Sequence, residues 1–389
     1  MKILYFSNSR LPTKKAHGHQ IMKMAYFFSQ QNITVELIVP SRKNPQHQNI
    51  SPFKFYGIKK TFLIKKIFSY DPAWLIKFKS GIYIKTQAML FIFSLFIYLL
   101  FKPNKSDYIF YTRDEYLLPL LQIFSGTVVW EAHSLPKKHR YYLKYFKKCN
   151  SIIVLTHELK KILIKIGLKP EHILVSADAV EINMFGIKLE TKEARKILGL
   201  PQSKIILGYS GSYKTKNMDK GIKDILSALS MLYPQFKHIF FVAVGGSQKE
   251  IDFYQKIAEN KKISDLVKFI PRIQTERLAI FQQACDIMMM PFPWQHHFAY
   301  FMSPLKMFEY MASHRPIIAT NLPSIKEVLN QNNSVIVEHD NPQSLAQGIK
   351  NLIEHPDLRQ KISNQAWNDV QKYSWQQRVS NIIKFIKRK

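Results

Sequence analysis

This 389-residue chain is short of acidic residues relative to basic ones, and it has only two cysteines. Only 27 Asp and Glu stand against 57 Lys and Arg, for a formal net charge of +30. Charge on this scale attracts a polyanion, either nucleic acid or an anionic membrane face. No helix-turn-helix wording, zinc-finger spacing or RNA-recognition motif is present, so a nucleic-acid role rests on charge alone and ranks second. The two cysteines, Cys149 and Cys285, lie far apart with no CxxC or Cys/His spacing. That pattern argues against a disulfide framework or a zinc site and fits a reducing cytoplasm. Glycine is scarce too, 13 in all, in a chain rich in Lys, Ile and Phe, and this compositional bias by itself explains part of the lysine excess. Internal repeats, low-complexity tracts and Gly/Ser linkers are missing. The opening apolar run, Ile3 to Phe6, is too short for a signal peptide and reads as a buried strand. The uncharged run at 88–101 has 14 residues, short of the roughly 20 that span a bilayer. It reads as a buried core helix or one lying in a membrane interface, and Lys85 argues against extending it.

What is present is a doubly wound α/β pattern. The length suits two domains of about 150–200 residues each. Ile3 to Phe6 leads through a polar loop holding His17, Gly18 and His19 into a helix with Ile21, Met24, Ala25 and Phe28 at helical spacing. A strand at Val35 to Pro40 follows. In such folds ligands bind at the carboxyl ends of the strands, which places Gly18 at the ligand side. The two loop histidines have no carboxylate at ligand spacing, so no metal is expected there. Residues 51–105 interleave Lys59, Lys60, Lys65, Lys66, Lys77 and Lys79 with Phe53, Phe55, Tyr56, Phe62, Phe68, Trp74 and Phe78. Basic plus aromatic suits an anionic membrane interface; a helical insertion packed on the domain is the alternative. Pro136 to Lys148 repeats the mixture and could face acidic lipid or an anionic acceptor.

The stretch Ser303-Pro304-Leu305-Lys306-Met307-Phe308-Glu309-Tyr310-Met311-Ala312 lies between two apolar runs, Cys285 to Pro291 and Pro316 to Thr320. Serine as N-cap and proline in the first turn predict a helix starting here, within a β-α-β unit. Its free N–H groups and dipole favour a phosphate, Lys306 adds a charge, and Glu309 on the same face could accept bonds from ribose hydroxyls. An ordinary capped helix with an exposed Lys/Glu pair answers the same spacing.

The wording SPLKMFEYMA, with Asn321 to Val328 beyond the next strand, resembles the nucleotide-sugar site of the family 4 retaining glycosyltransferases. That resemblance implies the GT-B fold, two Rossmann-like doubly wound domains facing across a cleft. It divides the chain into an acceptor domain at 1–187 with the insertion at about 51–105, a linker at 188–204, a nucleotide-sugar domain at 205–370, and a helix at 371–389 returning to the first domain. It also implies site residues. Lys220, Lys306 and the N–H groups around Ser303, Pro304 and Leu305 would hold the donor diphosphate, Glu309 the ribose, Gly18 the phosphate approach, and Arg272 would flank the base. His133, after the strand ending in Glu131-Ala132, would face the reacting sugar, with Arg113 and Glu115 on the acceptor side and His296 and His297 at the donor-sugar end. The family's first glutamate falls at Phe301, its arginine at Ser212 and a usual glycine at Ala179, with Lys214 or Lys216 near enough to stand in for the arginine. The expected activity is a hexosyl-type transfer from a nucleoside-diphosphate sugar to a glycan or lipid-linked acceptor in cell-surface polysaccharide or glycolipid synthesis. It would proceed with retention, without cofactor or metal, on the inner face of the membrane. The competing expectation is a catalytically weak GT-B-like protein that binds a membrane or polyanion.

Overall fold

The computed structural model describes residues 1–42, 49–77, 80–215 and 218–388. It separates into two compact units, Met1–Ser176 with Trp375–Lys389, and Ala177–Ser374.

The first unit is built on a parallel sheet. Its strands are β1 Lys2–Phe6, β2 Thr34–Pro40, β3 Leu63–Ile67, β4 Tyr108–Thr112, β5 Val128–Ala132, β6 Ser151–Val154 and β7 Ile173–Val175. They lie in the order β3-β2-β1-β4-β5-β6-β7. Strands covered by helices on both faces read as continuous apolar runs, and Ile3, Leu4, Tyr5 and Phe6 of β1 are all fully buried. The strand order reverses between β1 and β4, the switch point at which doubly wound sheets bind ligands. At the edge, β3 carries Lys65 and Lys66 outward, a common guard against edge-to-edge pairing. This strand occupies part of the stretch expected to be a membrane insertion. Phe78 and Lys79 lie outside the described residues.

The helix expected at 88–101 runs from Ser80 to Phe101, and it is not a buried core helix. A single stripe of Gln87, Phe91, Leu95 and Leu99 is buried, while Met89 is 69 %, Phe93 62 % and Phe101 81 % exposed. Two contacts fasten it to the unit. The Gln87 amide donates to Asn8 Oδ1 at 2.7 Å, and Lys102 meets the Glu36 carboxylate of β2 at 2.7 Å. The helix Trp375–Lys387 belongs to this unit, burying Trp375, Arg378, Val379, Ile382, Ile383 and Ile386.

In the second unit the strands are β8 Ile205–Ser210, β9 Lys214–Thr215, β10 Met218–Asp219, β11 Ile239–Gly246, β12 Val267–Pro271, β13 Ile287–Met290, β14 Ile317–Thr320 and β15 Val335–Val337. The parallel main sheet runs β12-β11-β8-β13-β14-β15, and β9 with β10 forms a two-stranded ribbon. Here the order reverses between β8 and β13. Residues 177–187 pack with this unit instead of the first, because Phe185 joins a core that includes Phe281 and Met311. The stretch 188–204, read from sequence as linker plus a short helix, holds a helix at Thr191–Leu198. Its Arg195 reaches the Ala284 carbonyl at 2.9 Å and the Asp286 carboxylate at 2.5 Å.

Candidate active site

The second unit gathers cations at its switch point. β8 ends in Ser210, and Gly211 follows with φ +114°, a conformation open to glycine. A Cβ there would only touch Lys306, 3.5 Å from its Cε and 3.6 Å from its Nζ, so it is the positive φ that favours glycine. The helix Leu305–Ala312 is fixed against this turn by Tyr310, whose hydroxyl accepts the Ser210 N–H at 2.7 Å. Lys306 is buried, and its Nζ has no hydrogen-bond acceptor among the described residues. It rests 3.5 Å from the Tyr209 ring centroid and 5.1 Å from that of Phe292. Burial, and then the neighbouring Lys220, hold its pKa well below the usual lysine value. Lys220 donates to Ser212 Oγ at 2.8 Å, and burial lowers it to about 8. Gly221, beside it, has φ +92° and approaches so close that a Cβ would fall 1.7 Å from the Pro291 carbonyl oxygen. Burial raises Glu309 to about 7, opposed by Lys306 and Arg272. Arg272 is exposed just past β12.

Two details differ from the sequence reading. The helix begins at Leu305 with Pro304 in the cap position and no side-chain cap bond. Ser303 is not the N-cap, because its hydroxyl instead accepts the Asp178 N–H at 2.9 Å. That bond ties the entry of the unit to the start of the helix. Phe301, where the family glutamate would stand, is 6 % exposed and packs its ring on His296 and His297. Ser212, where an arginine would stand, takes the Lys220 ammonium. Lys216 lies outside the described residues, and Lys214 Nζ sits 4.0 Å from the Phe253 ring centroid.

In the first unit, His133 follows β5 and its Nε2 lies 3.0 Å from Glu131 Oε1. Burial, then Arg113, lower its pKa to about 4. Sequence reasoning singled out the histidine but not what holds it. Glu131 is fully buried and also receives Gln20 Nε2 at 2.6 Å, Tyr111 OH at 2.6 Å and Arg378 Nη2 at 2.8 Å. Arg113 Nη1 donates to Gln20 Oε1 at 2.5 Å. Gly18 lies in the first turn of the helix Ala16–Ser29, not in the loop before it. The space it leaves admits Thr13 and the Tyr56 hydroxyl, each 2.4 Å from where a Cβ would be. No three His, Cys, Asp or Glu side chains gather in a metal-ligand group among the described residues.

Two parallel α/β units of these strand orders define the GT-B fold. The solved structure of sucrose-phosphate synthase from Thermosynechococcus elongatus matches with a TM-score of 0.77 at 15% identity, covering 100% of this chain and 98% of that one. The Anabaena HepE structure in complex with UDP-glucose matches with a TM-score of 0.70 at 15% identity, covering 99% of each chain. Residues 190–369, most of the second unit, match the family model described as glycosyl transferases group 1. A D-inositol 3-phosphate glycosyltransferase from Corynebacterium urealyticum is 25% identical over 220 residues, 54% of this chain and 50% of that protein. An uncharacterized glycosyltransferase from Haemophilus influenzae is also 25% identical over 220 residues, 56% of each. The chain spans about half the length of these curated relatives. The matches support a glycosyltransferase enzyme.

Proposed function

We propose that the chain transfers a sugar, with retention and without a required metal, from a nucleoside-diphosphate sugar to a glycan or lipid-linked acceptor in cell-surface polysaccharide or glycolipid synthesis. The observation that carries this reading is Lys306, a buried ammonium with no hydrogen-bond acceptor, set at a helix N-terminus beside a positive-φ glycine. Burying a cation without a counter-charge costs free energy, and an arriving diphosphate supplies that counter-charge. Lys220, Lys306 and the free N–H groups at the start of Leu305–Ala312 then stabilise the departing diphosphate. Such stabilisation commonly contributes several kcal/mol. No metal is needed in this arrangement because the cations are supplied by side chains. Glu309 accepts from the ribose hydroxyls, Arg272 flanks the base, and a neutral His133 bonds a hydroxyl of the transferred sugar.

The acceptor side of the proposal rests on the helix Ser80–Phe101. Its Gly81–Phe101 segment is long and apolar enough to cross a membrane, and it is mostly exposed. Held at Gln87 and Lys102, it lies along the unit and dips its exposed face into the inner leaflet, while the surrounding lysines meet anionic headgroups. On this reading the protein is a peripheral enzyme of the cytoplasmic membrane face.

The test is release of nucleoside diphosphate from UDP-, GDP- and ADP-sugars, UDP-glucose first because HepE binds it. Wild type, Lys220→Ala and Glu309→Ala are compared with and without EDTA and anionic vesicles. Turnover that persists in EDTA and collapses in both variants supports the proposal. The second reading, a catalytically weak binding protein, is favoured by Phe301 and Ser212. It prevails if vesicles or nucleic acid bind while no donor binds or turns over.

A further inference from the structure

The Glu131 carboxylate receives four donors, and two of them come from opposite ends of the chain. Arg378, on the last helix, is 4 % exposed and also donates to the Ser176 carbonyl at 3.2 Å. Burial alone would push the Glu131 carboxyl up; the Arg378 guanidinium outweighs it, with help from the His133 bond, and the carboxyl stays well below its usual range. An ionised carboxylate can only accept hydrogen bonds. The proton in the 3.0 Å contact therefore belongs to His133 Nε2, and in a neutral ring Nδ1 carries the lone pair. Besides Glu131, the charged groups acting on the imidazole are Arg113 and Arg378, and neither is a base that would take that proton.

We propose that Glu131, held ionised and oriented by Arg378 of the terminal helix, is a positioning residue. It fixes His133 in the Nε2–H tautomer so that Nδ1 accepts a bond from a hydroxyl of the transferred sugar. The assignment rests on the transferase reading above for the role of His133, while the tautomer itself does not. A glutamine at 131 keeps the shape but offers an amide that can donate, so the ring can turn over its tautomer. Removing Arg378 alone would leave a buried charge unpaired and could unfold the unit. The informative set is therefore Glu131→Gln, Arg378→Lys, and the double variant Glu131→Gln/Arg378→Met, which removes both charges together.

The tautomer is read by nitrogen-15 NMR of histidine-labelled full-length protein, with His133→Gln identifying the resonance. Steady-state kinetics follow on the donor found active. The expected result is an Nε2–H ring in wild type, a shifted tautomer population in both Glu131→Gln variants, and kcat lower by about 10- to 100-fold with KM little changed. Arg378→Lys should retain the tautomer and most of the rate. An Nδ1–H ring in wild type overturns the proposal, as does an unchanged tautomer in the folded Glu131→Gln protein. If wild type turns over no sugar nucleotide, the transferase reading fails by itself, and the NMR result still decides whether Glu131 sets the tautomer.

Discussion

Without an anion, the Lys306 ammonium has the Tyr209 and Phe292 rings against it but no hydrogen-bond acceptor among the described residues. Lys306→Met should therefore raise the stability of the unliganded protein by about 1–3 kcal/mol, the usual cost of a buried polar group without a partner. It should weaken UDP binding by about 10- to 100-fold, the worth of one charge-assisted hydrogen bond. Thermal melts with and without UDP measure both at once, and a variant that loses stability in the absence of UDP would show that the ammonium has a structural partner. The pH dependence has its own sign. Lys220 titrates at about 8 and Glu309 at about 7 in the free protein. A bound diphosphate favours the ammonium, so affinity falls as pH rises through the Lys220 value. Below the Glu309 value the carboxyl is protonated and loses acceptor capacity for ribose, so affinity falls there too. On the alkaline side UDP affinity should drop by up to about tenfold per pH unit for each linked proton, with Lys306, also held below the usual lysine value, adding to Lys220. Titration calorimetry across this range checks it. Glu309→Gln should flatten the acid limb and Lys220→Ala the alkaline one.

Elements were legible where their pattern is local. The strands that become β1, β4, β5, β8, β11 and β13 are short apolar runs closed by turn residues, and the Lys306/Glu309 helix follows from ten consecutive residues. The start of that helix was misread for a physical reason: Ser303 has the chemistry of a cap, but tertiary structure offered its hydroxyl the Asp178 N–H instead. The helix Ser80–Phe101 was underestimated because its first turns are polar and carry Lys85, while its buried stripe is only one residue wide per turn. That division of the helix makes a prediction. Replacing Phe91 or Leu95 by Ala empties the core and should cost about 2–5 kcal/mol. Changing the exposed pair Met89→Lys/Phe93→Glu should leave the melting temperature nearly unchanged and sharply reduce co-sedimentation with anionic vesicles. Vesicle binding that survives the exposed pair would remove this helix from the membrane contact.

The chain leaves the first unit after Ser176 and returns at Trp375, so the second unit is one uninterrupted stretch and the first is assembled from two. This path was hard to read from sequence, because the contact that closes it, Arg378 on Glu131, joins residues 247 positions apart and no periodicity reports such a pair. It implies unequal behaviour on dissection. A fragment covering 177–374 keeps both of its core clusters, Lys220, Lys306, Glu309 and Arg272. It should fold cooperatively and bind UDP with affinity near that of the full chain. A fragment covering 1–176 loses the apolar face of Trp375–Lys387 and leaves Glu131 without its guanidinium. Breaking a buried ion pair costs about 3–5 kcal/mol, and a domain has only about 5–15 kcal/mol of stability in total. Loss of Trp375, Val379 and Ile382 from the core adds to that, so the fragment should populate its unfolded state. Adding a peptide of residues 375–389 should restore cooperative melting, and the same peptide with Arg378→Ala should not. If fragment 1–176 melts cooperatively without the peptide, the terminal helix is dispensable to the folding of the unit.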